Sequence, residues 1–252
     1  MGLQAICNSL IKGGRISDAT AILASLEKKI PNSSETTATD FNDGGHAKKA
    51  FKDLIQALHN EKLEPFLISG TLLGWVRNRN LLPHDKDIDI GLISSGDHST
   101  VRKALINSKN FSFDERVLDN PNAYLLQLKH KETKTHADIF FFHEKEDCYI
   151  HGIDSLFGYT QNFRFSKFKT STVEFLDENV KIPDDYDLFL RENYGDQWKI
   201  PDKNYIVNLE SPALTIKSGE LYRFIAHLEL LRAKKNPAKR ERILNIINAH
   251  EA

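Results

Sequence analysis

Three aspartates stand at every second position of the segment PHDKDIDIGL, as Asp85, Asp87 and Asp89. The last two alternate with isoleucines, which is the pattern of a strand whose successive side chains point to opposite faces. Asp87 and Asp89 would therefore share one face, where like charges repel unless a cation lies between them. Paired carboxylates on a rigid strand suit a hard divalent cation that also binds phosphate oxygens. The pattern predicts a metal site for Mg²⁺, with Mn²⁺ as the alternative.

A third acid is predicted from the apolar run HADIFFF. Asp138 stands between an alanine and an isoleucine in this run, where an unpaired buried charge would be costly. On a strand beside the first one, Asp138 would complete a set of three carboxylate ligands. The alternative is an acidic strand end that faces solvent, with Asp138 paired to a lysine such as Lys131 or Lys134.

A candidate phosphate site precedes the aspartates. Ser69, Gly70 and Thr71 follow the short apolar run PFLI and open a helical pattern. Backbone N–H groups at a helix N-terminus bind phosphate, so these three residues are predicted to cradle a substrate phosphate. A plain N-cap role for Ser69 is the alternative. The order of strand, Ser-Gly, helix, Asp-x-Asp strand and third acid is the layout that metal-assisted phosphoryl or nucleotidyl transfer requires.

The elements that would position these residues fall into three predicted parts. Residues 1–30 are predicted to form a helical hairpin appendage, whose apolar stripe needs the main domain or a partner, so association into an oligomer is one expectation. Residues 31–45, rich in Ser, Thr, Asn and Gly, are predicted to be a flexible linker. Residues 46–252 are predicted to form the catalytic domain, with a helical C-terminal part. The expected class is α+β, a mixed sheet flanked by helices.

Within the predicted domain, the periodicity indicates individual elements. Strands are predicted at 65–68 and 87–92, and antiparallel strands in the segments AYLLQLKH, HADIFFFHE, CYIHGI and FRFSKFKT. Helices are predicted at 46–60 and in the segments TLLGWVRN, STVRKALINS, DDYDLFLRENYG, ELYRFIAHLELLRAKK and AKRERILNIINAH.

Composition limits the class of protein. The 252 residues are 40% hydrophobic and 27% charged, which is enough apolar material for a sizeable core. With 34 basic and 35 acidic residues, the chain lacks the positive excess that general nucleic-acid binding uses. Cys7 and Cys148 are expected to be reduced thiols. No apolar run approaches the ~20 residues of a bilayer span, and the start is a poor signal peptide, so a cytoplasmic location is expected.

Two blocks of the sequence resemble a known family. The segment SGTLLGWVRNRNLLPHDKDIDIGL, residues 69–92, is similar to the signature of LicD-type phosphocholine transferases and the related fukutin proteins. These belong to the DNA-polymerase-β-like nucleotidyltransferase superfamily. The segment IPDDYDLFLRENYGDQWKIP, residues 182–201, is similar to the family's C-terminal block, and HADIFFF resembles its strand with the third acid. The resemblance covers roughly residues 46–205 and implies a nucleotidyltransferase-like fold.

The resemblance also implies an activity. It implies transfer of a phospho-headgroup, phosphocholine or a phospho-alditol such as ribitol or glycerol phosphate, from a CDP-activated donor. The acceptor would be a sugar hydroxyl of a cell-surface glycan or glycolipid, in capsule or teichoic-acid synthesis, and CMP would leave. His84 stands where the family usually has Trp, and Lys86 where it often has a further Asp, which bears on donor or acceptor preference.

The candidate catalytic and metal residues follow from the residues and the resemblance together. Asp87, Asp89 and Asp138 are predicted to be metal ligands, and Asp138 also to draw the acceptor proton. For Asp85 three roles stay open: general base, partner of Arg77, or a turn acid. Arg77 is predicted to neutralise donor phosphates, with a plain surface arginine as the alternative.

Aromatic and basic residues near the C-terminus have two interpretations each. Tyr194 and Trp198, around Tyr-Gly-Asp, would either pack a lid or stack on a nucleobase of the substrate. The basic run at 231–242 would be a solvated helix pair, or would contact anionic lipid or a polyanionic acceptor at the inner face of the membrane. Two other functions stay open. One is nucleotidyl transfer with pyrophosphate release, and the other is an inactive scaffold that acts through the hairpin.

Overall fold

The computed structural model describes residues 2–27, 45–83, 85–94 and 98–250. His84 lies outside these residues, as does all of the predicted linker except Gly45. Contacts between residues divide the chain into two units. The sheet unit comprises Ala38–Gly152 and Arg164–Leu190. The helical unit comprises Met1–Thr37, Ile153–Phe163 and Arg191–Ala252.

The helices and strands of the described residues are numbered in chain order. The helices are α1 (Leu3–Lys12), α2 (Ile16–Glu27), α3 (His46–Asn60), α4 (Ser69–Asn78), α5 (Ser99–Ser108), α6 (Tyr186–Tyr194), α7 (Val207–Glu210), α8 (Gly219–Arg232) and α9 (Pro237–Ala249). The strands are β1 (Phe66–Leu67), β2 (Asp87–Ser94), β3 (Phe111–Ser112), β4 (Leu125–His130), β5 (His136–Glu144), β6 (Cys148–Asp154), β7 (Thr160–Ser166), β8 (Thr170–Phe175) and β9 (Glu178–Pro183).

The described strands form one mixed sheet. Their order is β3-β4-β5-β2-β1-β9-β8, and β6 pairs with both β5 and β7. Strands β2 and β5 run parallel, whereas β4 lies antiparallel on the other side of β5. Parallel neighbours need a crossover, and here the chain passes through α5, β3 and β4 between β2 and β5. The sheet, its flanking helices and the N-terminal hairpin confirm the predicted α+β class.

Helix α3 covers part of the sheet unit's core. Its apolar residues recur at helical spacing, and Phe51, Leu54, Ile55 and Leu58 are all fully buried. The predicted helix at 46–60 is confirmed with its bounds at His46 and Asn60. The stripe packs toward α5 and β9, so burial of one face rather than helix propensity decides where this helix lies.

An aromatic cluster fills the sheet unit next to the end of β1. The rings of Phe165 and Phe189 stack with centroids 4.5 Å apart, and those of Phe66 and Phe142 meet edge to face at 5.1 Å. His151 is buried within this cluster, where it stacks against Phe165. Burial lowers the pKa of His151 to about 3, so the imidazole is neutral in the folded protein at neutral pH.

The hairpin of α1 and α2 packs against α8 within the helical unit. Their shared cluster consists of residues with little or no exposure: Cys7, Ala19, Leu23, Phe224 and Leu228. The amides of Gln4 and Asn8 donate to the carbonyl of Leu156, which ties α1 to the turn before β7. The helices of the predicted hairpin are confirmed. Its use for association with another chain stays a prediction, and so do the domain boundaries at residues 30 and 46.

The basic run at 231–242 is partly neutralised inside the helical unit. Its arginines form ion pairs with acids of the same unit: Arg232 with Glu229, Arg240 with Glu27, and Arg242 with both Asp202 and Glu210. Arg240 is 14% exposed, so its pair with Glu27 joins α9 to the end of α2 away from most solvent. These pairs favour a role in folding, and contact of the run with lipid or a polyanion stays a prediction.

Two features of the fold differ from the predicted elements. The segment FRFSKFKT, predicted as one strand, holds the end of β7 and the start of β8, with a break at 167–169. Strand β9, the two-residue strand β3 and the short helix α7 were not predicted. Val180 and Ile182 of β9 are buried, but the strand is short and polar enough that its alternation gave little signal.

Candidate active site

The three aspartates predicted as metal ligands come together on two neighbouring strands. Asp89 and Asp138 lie directly opposite each other on β2 and β5, and Asp87 lies opposite His136. One carboxylate oxygen from each acid lies within 4.8 Å of the other two. Ile88 and Ile90, which alternate with the acids of β2, are fully buried on the opposite face, as the alternation predicts.

The environment of Asp138 disfavours its charged form. Asp138 is 9% exposed. Burial, and secondly the charge of Asp87, raise the pKa of Asp138 to about 7, while a hydrogen bond from the Gln127 side chain opposes the rise. A cation next to Asp138 would therefore stabilise the charged form that burial and Asp87 disfavour.

The two acids of β2 are perturbed in the same direction. Burial, followed by the charges of Asp87, Asp138 and Asp85, raises the pKa of Asp89 well above its usual range. Burial also raises the pKa of Asp87, against the positive charges of Lys86 and His136. Further along the same face of β2, the ring of Phe66 lies where a side chain on Gly91, two residues beyond Asp89, would stand.

This arrangement fits a hard divalent cation. The donors are carboxylate oxygens, which Mg²⁺ and Mn²⁺ accept. Without a cation, the acids would hold like charges close together in a poorly solvated place. Metal ligation by Asp87, Asp89 and Asp138 stays a prediction, and its supporting observation is the convergence of their oxygens.

The first turn of α4 is bonded to β2. The backbone N–H of Gly70 donates to Oδ2 of Asp89 at 3.3 Å, and Oγ1 of Thr71 accepts from the backbone N–H of Asp89 at 2.8 Å. Thr71 is fully buried. In the structure both residues hold Asp89, and their predicted contact with a substrate phosphate stays a prediction.

Ser69 begins α4 in a strained conformation. Its φ is 47°, in the left-handed region that residues with a side chain rarely adopt. The N-cap position belongs to Ile68, with no side-chain capping bond, so the plain N-cap role considered for Ser69 is wrong. Strain of this kind collects at functional sites. It is consistent with the predicted phosphate contact of Ser69.

Asp85 packs against the start of α4. A side chain on Gly70 would meet the carboxylate of Asp85 at 2.8 Å, so only glycine leaves room for this acid. Burial and the charge of Asp87 raise the pKa of Asp85 to about 7, and Arg77 opposes the rise. Its Oδ2 is buried and accepts no hydrogen bond from the described residues. Asp85 is thus a fourth carboxyl of the same site.

Three other residues lie in the second half of α4 or directly after it. Arg77 acts on Asp85 through its positive charge, which agrees with the predicted pairing of the two. Trp75 is 8% exposed and meets the ring of Tyr186 edge to face, with centroids 5.6 Å apart. The guanidinium of Arg79 lies 3.9 Å from the centre of the Trp75 ring. Trp75 is therefore a packing residue.

Tyr194 and Trp198 belong to the helical unit, whereas the acids belong to the sheet unit. The ring of Tyr194 lies 5.4 Å from that of Tyr205, whose hydroxyl donates to the carbonyl of Asn193. Trp198 is 5% exposed. These contacts agree with the packing interpretation, and stacking on a nucleobase stays a prediction.

Two cross-strand rows of polar residues extend the site onto β4. Gln127 lies opposite Asp138, and Lys129 lies opposite His136. Sequence reasoning did not single out Gln127 or Lys129. The sequence pattern that could have pointed to them is the alternation in LLQLKH, in which exposed residues stand between buried ones. Alternation gives the face of a residue, but the opposing residue depends on the register between strands.

Comparison with known proteins decides the family. A family model described as LicD/FKTN/FKRP, nucleotidyltransferase domain, matches residues 62–185. These residues belong to the LicD-type, fukutin-related family. The resemblance seen in the sequence is confirmed for this LicD-type segment, which holds the four acids, all of α4 and Gln127. The part of the C-terminal block at 186–201 lies outside the matched residues.

The relatives of this chain include named transferases. Ribitol-5-phosphate transferase FKTN of Macaca fascicularis is 31% identical over 163 residues, which cover 63% of this chain and 35% of the relative. The protein of that name from Homo sapiens is 30% identical over the same extent. An uncharacterized protein of Rickettsia typhi is 25% identical over 133 residues, 49% of this chain and 38% of the relative. The chain spans about a third of the length of the FKTN relatives. Among the described residues, no helix has the length and apolar character to cross a membrane.

Proposed function

We propose that this chain is a Mg²⁺-dependent transferase that moves a phospho-headgroup from a CDP-activated donor to a sugar hydroxyl of a glycan or glycolipid, with release of CMP. The observation that carries the proposal is the convergence of oxygens from Asp87, Asp89 and Asp138 within 4.8 Å on a LicD-type segment. The names of the FKTN relatives favour ribitol phosphate as the headgroup. Glycerol phosphate and phosphocholine are the alternatives.

Asp87, Asp89 and Asp138 would hold the metal ion, Mg²⁺ or Mn²⁺. When bound, the ion would offset the negative charge of the donor pyrophosphate and polarise its phosphoryl oxygens. The protein's own contribution is to fix these three carboxylates on adjacent strands before the donor arrives. The bonds from Gly70 and to Thr71 hold Asp89 in that position.

We propose Asp85 as the general base, and Asp138, which was also predicted to draw the acceptor proton, as a metal ligand alone. The acceptor hydroxyl oxygen attacks the phosphorus that carries the headgroup, and the bond from that phosphorus to the bridging oxygen breaks. CMP leaves with the bridging oxygen, and the hydroxyl proton passes to the carboxylate of Asp85. Its place supports this role, because Asp85 packs against the start of α4 and its charge acts on Asp89.

The donor would be bound by residues around the start and end of α4. Arg77 is proposed to neutralise the donor phosphates, and Ser69 to contact a phosphate through its hydroxyl and amide. Gly70 and Thr71 are proposed to complete this phosphate contact, and their bonds with Asp89 also hold that acid in place.

Product analysis tests the proposal directly. The protein is incubated with Mg²⁺, a glycan acceptor and CDP-ribitol, CDP-glycerol or CDP-choline, and CMP is measured by chromatography. We expect CMP and a glycosyl phosphodiester from one donor, and neither product in EDTA. Pyrophosphate released from CTP or ATP instead would show nucleotidyl transfer. If no donor gave a metal-dependent product with the acceptors supplied, the scaffold interpretation would gain support.

A further inference from the structure

An exposed glutamine borders the acid site on the side away from β2. Gln127 stands in the middle of β4, between the buried residues Leu126 and Leu128. Because alternate residues of a strand share one face, Gln127 lies on the face that carries the acids. The register places it directly opposite Asp138, which in turn lies opposite Asp89.

The side chain of Gln127 contacts one of these acids. The two residues stand directly opposite each other on adjacent strands, within reach of a hydrogen bond, and the Gln127 side chain acts as a donor that lowers the pKa of Asp138. Among the acids that converge in the site, Asp89 is held through its backbone and its carboxylate by the start of α4, whereas Asp138 has this bond from β4. A carboxylate has two oxygens, and a donor fixed on one of them sets the direction in which the other points.

We propose that Gln127 is a positioning residue for the metal site, acting through Asp138. By donating to one oxygen of Asp138, the amide turns the other oxygen toward Asp87 and Asp89. This inference rests on the proposed metal-binding function of the three acids. Gln127 itself contacts neither the donor nor the acceptor in this assignment.

The test compares two glutamines that make the same kind of bond. Gln56 donates through Nε2 to Oε1 of Glu178 at 2.8 Å, outside the acid cluster, so Gln56→Leu removes an equivalent amide–carboxylate bond. Binding of Mn²⁺ to wild type, Gln127→Leu, Gln127→Ala and Gln56→Leu is measured by electron paramagnetic resonance and calorimetry. Melting of the metal-free proteins is recorded alongside to check that each variant is folded.

We expect both Gln127 variants to bind Mn²⁺ about tenfold more weakly than wild type, as loss of a residue that orients a metal ligand typically does. Gln56→Leu should bind like wild type. Transfer by the Gln127 variants should fall at limiting metal and recover at saturating metal, because only metal occupancy is affected.

Four results would overturn the inference. Wild-type affinity in both Gln127 variants would remove the positioning role alone. Equal weakening in Gln56→Leu would show a general loss of stability instead. Activity that stays low at saturating metal would mean that Gln127 acts on the reaction rather than on the metal site. Failure of the wild-type protein to bind Mn²⁺ would overturn the proposed metal site, and the inference with it.

Discussion

The backbone N–H of Asp89 donates to Oγ1 of Thr71 at 2.8 Å, so a fully buried side chain of α4 sets the position of an acid on β2. We predict that Thr71→Val lowers the free energy of unfolding by about 1–3 kcal/mol, because the N–H of Asp89 loses its acceptor in a buried place. Transfer activity should fall with it. Thr71→Ser keeps the hydroxyl and should retain most activity. Urea denaturation and CMP release check both, and equal activity in the two variants would contradict the prediction.

Removal of one charge should separate stability from activity. Asp87→Asn or Asp89→Asn keeps the side-chain shape while it removes repulsion between neighbouring acids. We expect metal-free stability to stay equal or rise, and transfer to fall by several orders of magnitude as a metal ligand is lost. Asp18→Asn is the control, since Asp18 is exposed and pairs only with Arg15 among the described residues. Near-normal turnover in the strand variants would remove these acids from the chemistry.

The metal-free protein should lose stability as the pH rises. The pKa of Asp138 is raised from 3.8 to about 7 in the folded protein, so its protonated form stabilises the fold below about pH 4. That stabilisation is lost between pH 4 and 7, at up to about 1.4 kcal/mol per pH unit for each such group. Thermal melting in EDTA should show the fall, Asp138→Asn should reduce it, and saturating Mg²⁺ should oppose it. An equal slope of stability against pH in wild type and Asp138→Asn would argue against the raised pKa of Asp138.

His151 should make the protein less stable as the pH falls, which is the opposite of the effect of Asp138. Its pKa is lowered to about 3 from 6.5, so the unfolded chain binds a proton more readily than the folded protein between these values. Stability from this residue is full above pH 6.5 and falls as the pH drops toward 3. We expect His151→Phe to weaken the loss of stability between pH 6.5 and 5 relative to wild type. Because the comparison uses the slope of melting temperature against pH, a constant change from altered packing does not affect it.

The grouping of the acids could be predicted because it needs only the period of a strand. Asp87 and Asp89 share a face at any register, and an apolar run that carries a single acid, Asp138, points to a neighbouring strand. The roles of Gly70 and Thr71 could not be predicted in the same way. Both lie where a phosphate site would lie, and only the packing of α4 on β2 shows that they bond to Asp89.

The pairing of Gln127 with Asp138 across β4 and β5 could not be predicted from the sequence either. A shift of the β4–β5 pairing by two residues would keep every side chain on its face and place a different residue beside the acid. Strand β9 was missed for a related reason. Its pairing with β1 and β8 stabilises a segment whose own composition, ENVKIP, gives only a weak preference for a strand.

The close approach of Phe66 to Gly91 means that the site depends on a residue with no functional group. A methyl group at position 91 would stand 2.4 Å from the aromatic ring, which is closer than atoms can pack. Gly91→Ala would therefore push β1 and β2 apart or turn the ring, and the acids of β2 would move with their strand. A substitution at position 91 removes no functional group from the site, yet it would displace the carboxylates that the site needs.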